Sequence, residues 1–478
     1  MTAPDRPNVI LICTDQWRGD CLGVAGHPAV QTPYLNDLAL DGARFTAAYS
    51  ATPSCIAARA GLLTGLKHRT HGRIGYRDAV PWNYRTYLAE EFTRHGYQTQ
   101  AIGKMHVYPE RSQVGFQNVI LHDGFLHHAR GNCNNNLELI DDYIPWLREK
   151  TGDPAADYFD HGVDCNGYVT RPWDRAEALH PTNFVASQGI DFLRRRDPRK
   201  PFFLYLSFHR PHPPFDPPAW AIDEYLDMDL PLPPVGDWAE KFADQHQSHR
   251  SNLAAGRLTP HQQRRAQAGY YGCMTHIDHQ INRLREALLA YGQSGNTIIC
   301  FTSDHGEMLG DHDLFRKSLP YEGSAGVPLI LNGPGVPKDL VTDVPAELRD
   351  IMPTLLDLAG LPIPAEVEGE SLVPALRGET SGFKHHIHGE HPSLGQTVHW
   401  LTDGRTKYVW MSLEGHEQLF DLTNDPQELH DLAGEQPETV AEWRQYLIEE
   451  LDGREEGYVK DSKLVLGIRP RAVLTHIL

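Results

Sequence analysis

The sequence predicts an α/β protein with a large, mostly parallel central sheet and a smaller C-terminal α+β domain built on an antiparallel sheet. Three observations predict it. Apolar runs of strand length alternate with amphipathic stretches of helical length. Those stretches carry helix punctuation. Near the C-terminus the pattern changes to a hairpin followed by a charged helix.

Taken in order, the buried-strand runs are "NVILICT" (8–14), "YQTQAIG" (97–103), "PFFLYLSF" (201–208), "NTIICFTS" (296–303) and "VPLILNG" (327–333). They read as near-continuous apolar segments, as strands covered on both faces do, so all five are expected to be parallel. Between them, "RTYLAEEFTRHG" ends at Gly96 and "PHQQRRAQAGYYGCMTHIDHQINRLREALLAYG" ends at Gly292, both glycines placed as helix stops. Residues 122–182 and 211–262 are rich in Pro, Asn, Asp and aromatics and read as excursions over the sheet's rim, where pockets are shaped. "RGETSGFK" (377–384) is a polar joint, and beyond it "TVHWLTDGRTKYVWMSLEG" reads as a hairpin turning at Asp403-Gly404. At 478 residues the chain exceeds one compact core, so a large domain over 1–378 and a smaller one over 379–478 are expected.

Lys plus Arg number 44 against 63 Asp plus Glu, a net charge of −19, which argues against nucleic acid and anionic membrane surfaces as partners. An anionic substrate would then need positive charge gathered locally. No apolar segment approaches the ~20 residues that span a bilayer, and "MTAPDRPNVILICTDQW" lacks a signal-peptide pattern. The cysteines, at 13, 21, 55, 133, 165, 273 and 300, are odd in number and form no CxxC pair. Neither a disulfide framework nor a zinc site is suggested, and a cytoplasmic location is expected.

Chemistry collects where the strands end. The first ends at Asp15-Gln16, the second runs into Lys104 and His106, the third into His209, Arg210 and His212, and the fourth into Asp304, His305 and Glu307. Singly, each has a plain structural explanation: Asp15 as a turn cap, Lys104 and His106 as a solvated pair, His212 as a packed loop histidine. Together they lie at the carboxyl edge of a parallel sheet, where α/β proteins bind ligands. Lys317 follows closely enough to reach that edge. Asp15, Gln16, Asp304 and His305 make a mostly oxygen donor set that favours Ca²⁺, with Mg²⁺ or Mn²⁺ as alternatives. Lys104 and Lys317 suit the oxygens of a tetrahedral anion, and His106 and His212 suit proton transfer. Cys55 precedes a helix, with Arg59 one turn on. By itself Cys55 reads equally as a buried filler, a thiol nucleophile or a precursor of another group. "HHIHGEH" (385–391) reads first as a domain joint, with His388 and His391 as candidate substrate contacts. The apolar tail "KLVLGIRPRAVLTHIL" docks either on its own chain or on a second copy, the latter giving a homo-oligomer.

These residues carry a resemblance. "SCIAARAGLLTG", "GYQTQAIGKMH", "PHPPF", "SDHGEMLGDH", "KSLPYEGSAGVPLIL" and "LFDLTNDPQELHDLAG" are similar, in order, to the motifs of the type I sulfatases of the alkaline phosphatase superfamily. The resemblance implies an alkaline phosphatase-like three-layer sandwich and a sulfuric ester hydrolase acting on a small-molecule sulfate ester. It implies that Cys55 is oxidised to formylglycine by a maturation enzyme and that residue 55, as the hydrate, attacks sulfur while also ligating the metal. Arg59 and Lys104 would orient hydrate and sulfate, and His212 with Lys317 would protonate the departing alcohol. His106 would deprotonate the second hydroxyl so that sulfate leaves. The chain departs from the pattern at Ala57, where proline is usual, at Gln16, where a second aspartate is usual, and at Gly326, which is expected to open space near Lys317. Two other readings stay open: a phosphonate monoester or phosphodiester hydrolase, whose pocket typically lacks the Lys104–His106 pair, and an unmatured metal- and anion-binding protein whose Cys55 thiol is acidified by Arg59 and the helix start.

Overall fold

Strands that are buried along their whole length belong in the middle of a sheet, and three of the main sheet do so here. They are β1 (Asn8–Asp15), β6 (Phe202–Pro211) and β7 (Thr297–Ser303). In the computed structural model, which describes residues 6–124, 140–157, 162–243 and 253–478, these three lie side by side. Cys133 and parts of both predicted excursions fall outside the described residues. The main sheet is completed by β2 (Gly42–Phe45), β4 (Gln98–Gly103), β5 (Asn118–Leu121), β8 (Leu329–Asn332) and β9 (Leu340–Thr342). Its order is β5-β4-β6-β1-β7-β8-β2-β9. A two-stranded pair, β3 (Ala48–Tyr49) with β10 (Ala346–Glu347), sits apart from it.

Side chains alternate across this sheet with period two. Ile10 and Ile12 of β1 enter one core beneath the helices Pro181–Arg195 and Pro260–Ala290. Val9, Leu11 and Cys13 enter the other, with residues of the helices Cys55–Thr64, Leu88–Arg94 and Ile351–Leu358. The result is three layers. The long helix starts with a capping box, Thr259 with Gln262, and gives way to a left-handed Gly292 (φ 64°). Gly96 is likewise left-handed just beyond Leu88–Arg94.

One strand corrects the expectation. "VPLILNG" forms β8, which runs antiparallel to both β7 and β2. The physical reason is the connection: residues 304–328 hold only short turns of helix, so the chain returns along β7 without the crossover that a parallel neighbour needs. β1 pairs in parallel with β6 and β7, and β4 with β5 and β6. Between Thr14 and Asp15 the register against β6 slips, placing Pro211 rather than His209 opposite Asp15. That bulge sets His212, whose N–H donates to the Asp15 carbonyl at 3.0 Å, beside the tip of β1.

The second sheet is antiparallel: β11 (Ile387–Ser393), β12 (Gln396–Thr402), β13 (Thr406–Met411) and β14 (His416–Asp421) in sequence order. Asp403 closes the predicted hairpin, its Oδ1 accepting from Arg405 N at 2.9 Å and Thr406 N at 2.7 Å, while Gly404 takes φ 84°. One face packs Leu401, Tyr408 and Trp410 on the helix Pro437–Leu451. The other packs Val398, Trp400 and Val409 against Tyr49, Met308 and Tyr321 of the main body. The apolar tail docks on its own chain: Val473 bridges Arg73, and Leu474 N donates to Gly72 O at 2.8 Å. No helix among the described residues is long and apolar enough to cross a membrane.

Candidate active site

The helix Cys55–Thr64 is buried at every residue, so whatever its first turn presents is held rigidly. Cys55 Sγ lies 3.3 Å from His305 Nε2 and 3.6 Å from Asp15 Oδ1. One turn on, the fully buried Arg59 points its guanidinium into the sheet rather than the cleft. It donates to Asp304 Oδ2 at 2.9 Å, Tyr205 OH at 2.9 Å, Ser207 Oγ at 2.7 Å and the Lys104 carbonyl at 2.9 Å. Its Nη2 is 3.8 Å from Asp15 Oδ2. Arg59 thus ties both aspartates and the second strand tip together. Tyr205 and Ser207, on the interior of β6, are residues the sequence reading did not single out.

Lys104 pairs with Asp15 Oδ2. Burial by itself would raise the Asp15 carboxyl, but Lys104, followed by His212, His305 and Lys317, holds it well below its ordinary value. The Cys55 thiol moves the other way: burial, then Asp15, pushes it up to about 11. The acidified thiol of the third reading is not found, because Asp15 and the loss of water outweigh the nearby cations.

Asp15, Cys55, Asp304 and His305 bring one donor atom each within 4.8 Å of one another. His305 is preset for such a role: its Nδ1 donates to Gly306 O at 2.9 Å, which leaves the Nε2 lone pair facing Cys55 and the two aspartates. Two carboxylates and an imidazole without a sulfur cluster fit a hard or borderline divalent cation. Gln16 sits at the rim of this group. Its backbone N–H donates to Asp304 Oδ1 at 3.2 Å, but its Oε1 accepts from Lys317 Nζ at 2.7 Å and its Nε2 donates to Glu307.

Lys317 Nζ also meets His212 Nε2 at 2.8 Å. His212 Nδ1 donates to the Pro213 carbonyl at 2.8 Å, so Nε2 is an acceptor. Burial, then Lys317, holds His212 well below the usual imidazole range. The lysine is therefore the donor of this hydrogen bond and the imidazole its acceptor. His106 takes φ 57° at the tip of β4 and packs edge-on to Tyr76 at 5.8 Å. Asp123, also unforeseen, holds that turn: its Oδ1 accepts from Met105 N at 2.7 Å and His106 N at 2.9 Å. These side chains face a cleft of about 530 Å³ that Tyr76, Phe315 and Leu394 wall with apolar surface. Residues from both predicted excursions reach it, among them Asn166 and Ala254.

His391 is buried at the end of β11, its Nδ1 donating to Pro392 O at 2.9 Å, and burial pushes it down to about 4. The following residues, Ser393 and Leu394, line the cleft. His388 does not: its ring stacks on His399 at 5.6 Å and meets His68 at 4.9 Å, away from the strand tips. Gly326 likewise opens onto another cleft, about 390 Å³ beside Arg18 and Glu322, rather than towards Lys317.

Strand tips that gather carboxylates for a cation and ammonium groups for an anion suit hydrolysis of an anionic ester, on the fold of the alkaline phosphatase-like enzymes. A family model described as sulfatase matches residues 7–361, so the chain belongs to the sulfatase family. A second, described as N-sulphoglucosamine sulphohydrolase, C-terminal, matches residues 310–456. The chain is 50% identical over 481 residues to an arylsulfatase of Clostridium perfringens (strain 13 / Type A), covering 99% of this chain and 100% of that protein. It is 31% identical to a choline-sulfatase of Rhizobium meliloti (strain 1021), over 90% and 82% of the two chains. Among solved structures, the phosphonate monoester hydrolase of Agrobacterium radiobacter superposes with a TM-score of 0.75 at 27% identity, covering 93% of this chain and 95% of that one. The protein is an arylsulfatase-like enzyme of the sulfatase family.

Proposed function

We propose that the enzyme hydrolyses a small sulfate monoester to alcohol and sulfate, using formylglycine formed from Cys55 and a divalent cation at the strand tips. The observation that carries this is the placement of Cys55 Sγ, 3.3 Å from His305 and 3.6 Å from Asp15, in a cleft flanked by Lys104 and Lys317. The oxygen-rich donors Asp15 and Asp304, with His305, would hold Ca²⁺, or Mg²⁺ or Mn²⁺ in its place, while Gln16, expected from sequence to join them, is turned to Lys317 and Glu307. Such an ion neutralises charge on the ester and the nucleophile when bound. Converted by a maturation enzyme, residue 55 would supply formylglycine, whose hydrate would provide the nucleophile towards sulfur, in the place where Cys55 Sγ now faces His305 and Asp15.

The remaining work falls to this chain's side chains. Arg59 holds Asp15 and Asp304 in place from behind. Lys104 and Lys317 face the sulfate oxygens as point charges. Lys317 delivers a proton to the departing alcohol while His212 Nε2, accepting another of its N–H bonds, holds it in place, and the neutral amine regains its proton from solvent after the alcohol leaves. His106 takes the proton of the second hydroxyl, and His391 lies beside the alcohol side of the cleft. The apolar walls exclude water and favour a ring-bearing or otherwise apolar alcohol.

A second reading, hydrolysis of phosphonate or phosphate esters, is favoured by the likeness to the Agrobacterium phosphonate monoester hydrolase. The Lys104–His106 pair at the tip of β4 supports sulfate. A panel of aryl sulfates, choline sulfate, aryl phosphonates and phosphate diesters, compared by kcat/KM, decides. Sulfate esters are expected to lead by at least about tenfold, and a lead by phosphonates overturns the reading.

A further inference from the structure

We propose that Glu307 is a positioning residue for the proton donor, acting through Gln16 to fix Lys317 against His212. The inference rests on the hydrolase reading above for what Lys317 does, and on hydrogen bonding alone for how it is held.

Glu307 is buried, and its carboxylate only accepts here. Oε1 takes the backbone N–H of Leu309 at 2.9 Å and of Arg316 at 2.5 Å. Oε2 takes the NH₂ end of Gln16. A glutamine amide has one accepting and one donating end of nearly the same shape, so an outside partner must decide which way it lies. With its NH₂ claimed by Glu307, Gln16 can offer only its carbonyl oxygen to the other side. That oxygen is where Lys317 Nζ sits, at 2.7 Å. Gln16 cannot swing away, because its backbone is clamped by Asp304 Oδ1 on its N–H and by Tyr270 OH, at 2.6 Å, on its carbonyl.

Lys317 has three N–H bonds to place. Gln16 takes one and His212 Nε2 another. The third is left for a ligand in the cleft that Lys317 lines. The backbone is engaged in the same device: Glu307 accepts from Arg316, the residue next to Lys317, so one carboxylate fixes both the root and the tip of the lysine.

Replacing the carboxylate by an amide turns the chain of donors and acceptors against itself. In Glu307→Gln the new amide oxygen is required by two backbone N–H groups, so its NH₂ faces Gln16. Gln16 must then invert, and its own NH₂ meets the ammonium of Lys317, donor against donor. The double variant Gln16→Glu with Glu307→Gln restores an acceptor for both, since the carboxylate at 16 accepts from the amide at 307 and from Lys317. Gln16→Met removes the acceptor while leaving Glu307 its backbone partners.

The test uses matured full-length enzyme, with formylglycine content and bound metal measured for each variant. kcat/KM is read across aryl sulfates whose phenols span a wide range of acidity. A misplaced proton donor harms poor leaving groups far more than good ones. Glu307→Gln and Gln16→Met are expected to lose at least about tenfold on the least acidic phenol and under about threefold on the most acidic. The double variant is expected to recover most of that loss. A uniform loss across the series, no loss, a double variant no better than Glu307→Gln, or a loss that tracks missing metal each overturns the proposal. If the wild type cleaves phosphonates instead of sulfates, the substrate reading fails while the same slopes, taken on aryl phosphonates, judge Glu307. If it cleaves neither, calorimetric binding of inorganic sulfate decides. Affinity weakened about fivefold in Glu307→Gln and restored in the double variant supports the relay, and unchanged affinity overturns it.

Discussion

Two buried clusters of histidine and carboxylate can be set side by side in this molecule. At the strand tips, Asp15, Cys55, Asp304 and His305 aim donor atoms at a common point beside a cleft. At the seam beneath the second sheet, Glu390, His68, His388, His399 and Arg454 aim theirs at one another. Arg454 closes on Glu390 at 2.6 and 3.1 Å, and His68 and His399 approach the same carboxylate at 3.2 and 3.7 Å. Composition does not separate the two. Direction does: in the seam the carboxylate and imidazoles close on one another around the Arg454 guanidinium, whereas at the strand tips Arg59 and Lys104 hold the Oδ2 atoms from one side and Asp15 Oδ1 turns towards Cys55 and His305.

The comparison breaks if the strand-tip carboxylates prove to be structural. Asp304→Asn is expected to lower kcat/KM by at least about 10³ and to reduce bound metal, both measured on purified protein. Glu390→Gln, in the seam, is expected to keep kcat/KM within about threefold and the metal content unchanged.

Stability should show the reverse. Glu390→Ala leaves Arg454 with Glu456 alone and takes from His68 and His399 the carboxylate they approach, and is expected to cost about 1–3 kcal/mol, read from denaturant unfolding. Equal destabilisation by Asp304→Asn would erase the distinction.

Acid should also find the seam. Burial, with Arg454 and His68 adding to it against Glu390, pushes His399 down to about 3. The unfolded chain, with an ordinary imidazole, takes up the proton first. Stability therefore falls as pH drops below about 6.5 and levels off near the folded value. At pH 4.5 this site alone is expected to remove about 3 kcal/mol, and His399→Gln should flatten the decline by that amount. Identical pH profiles for the two proteins would contradict it.

The smallest effect concerns the tail. It pairs with residues 72–74 just before Tyr76, a wall of the cleft. Removing residues 471–478 is expected to raise KM about two- to fivefold with kcat little changed. An unchanged KM would show that Tyr76 is held without it.

Much of this was legible in sequence because parallel strands end on one edge. Reading Asp15, Lys104, His212 and Asp304 off the ends of apolar runs placed them together before any packing was known. The direction of β8 was not legible, since an apolar run reads alike in either sense and only the missing crossover decides. Nor was the role of Arg59: its spacing from Cys55 fixed the helix face, but what it meets lies on β6, far along the chain. Asp123 and the orientation of Gln16 depend on hydrogen bonds between distant segments, which periodicity does not encode. "HHIHGEH" looked like one cluster, yet alternation along β11 sends His388 and Glu390 to the seam, while His391 lies beside the cleft.

If Cys55 is a precursor and the strand-tip cluster its workplace, turnover depends on the chemical state of residue 55. Mass spectrometry of the peptide containing residue 55, run on preparations matured to different extents, measures it directly against sulfate-ester turnover. Activity is predicted to rise in proportion to the formylglycine fraction and to vanish where residue 55 is wholly cysteine. Full turnover by protein whose residue 55 is unmodified cysteine would contradict the account.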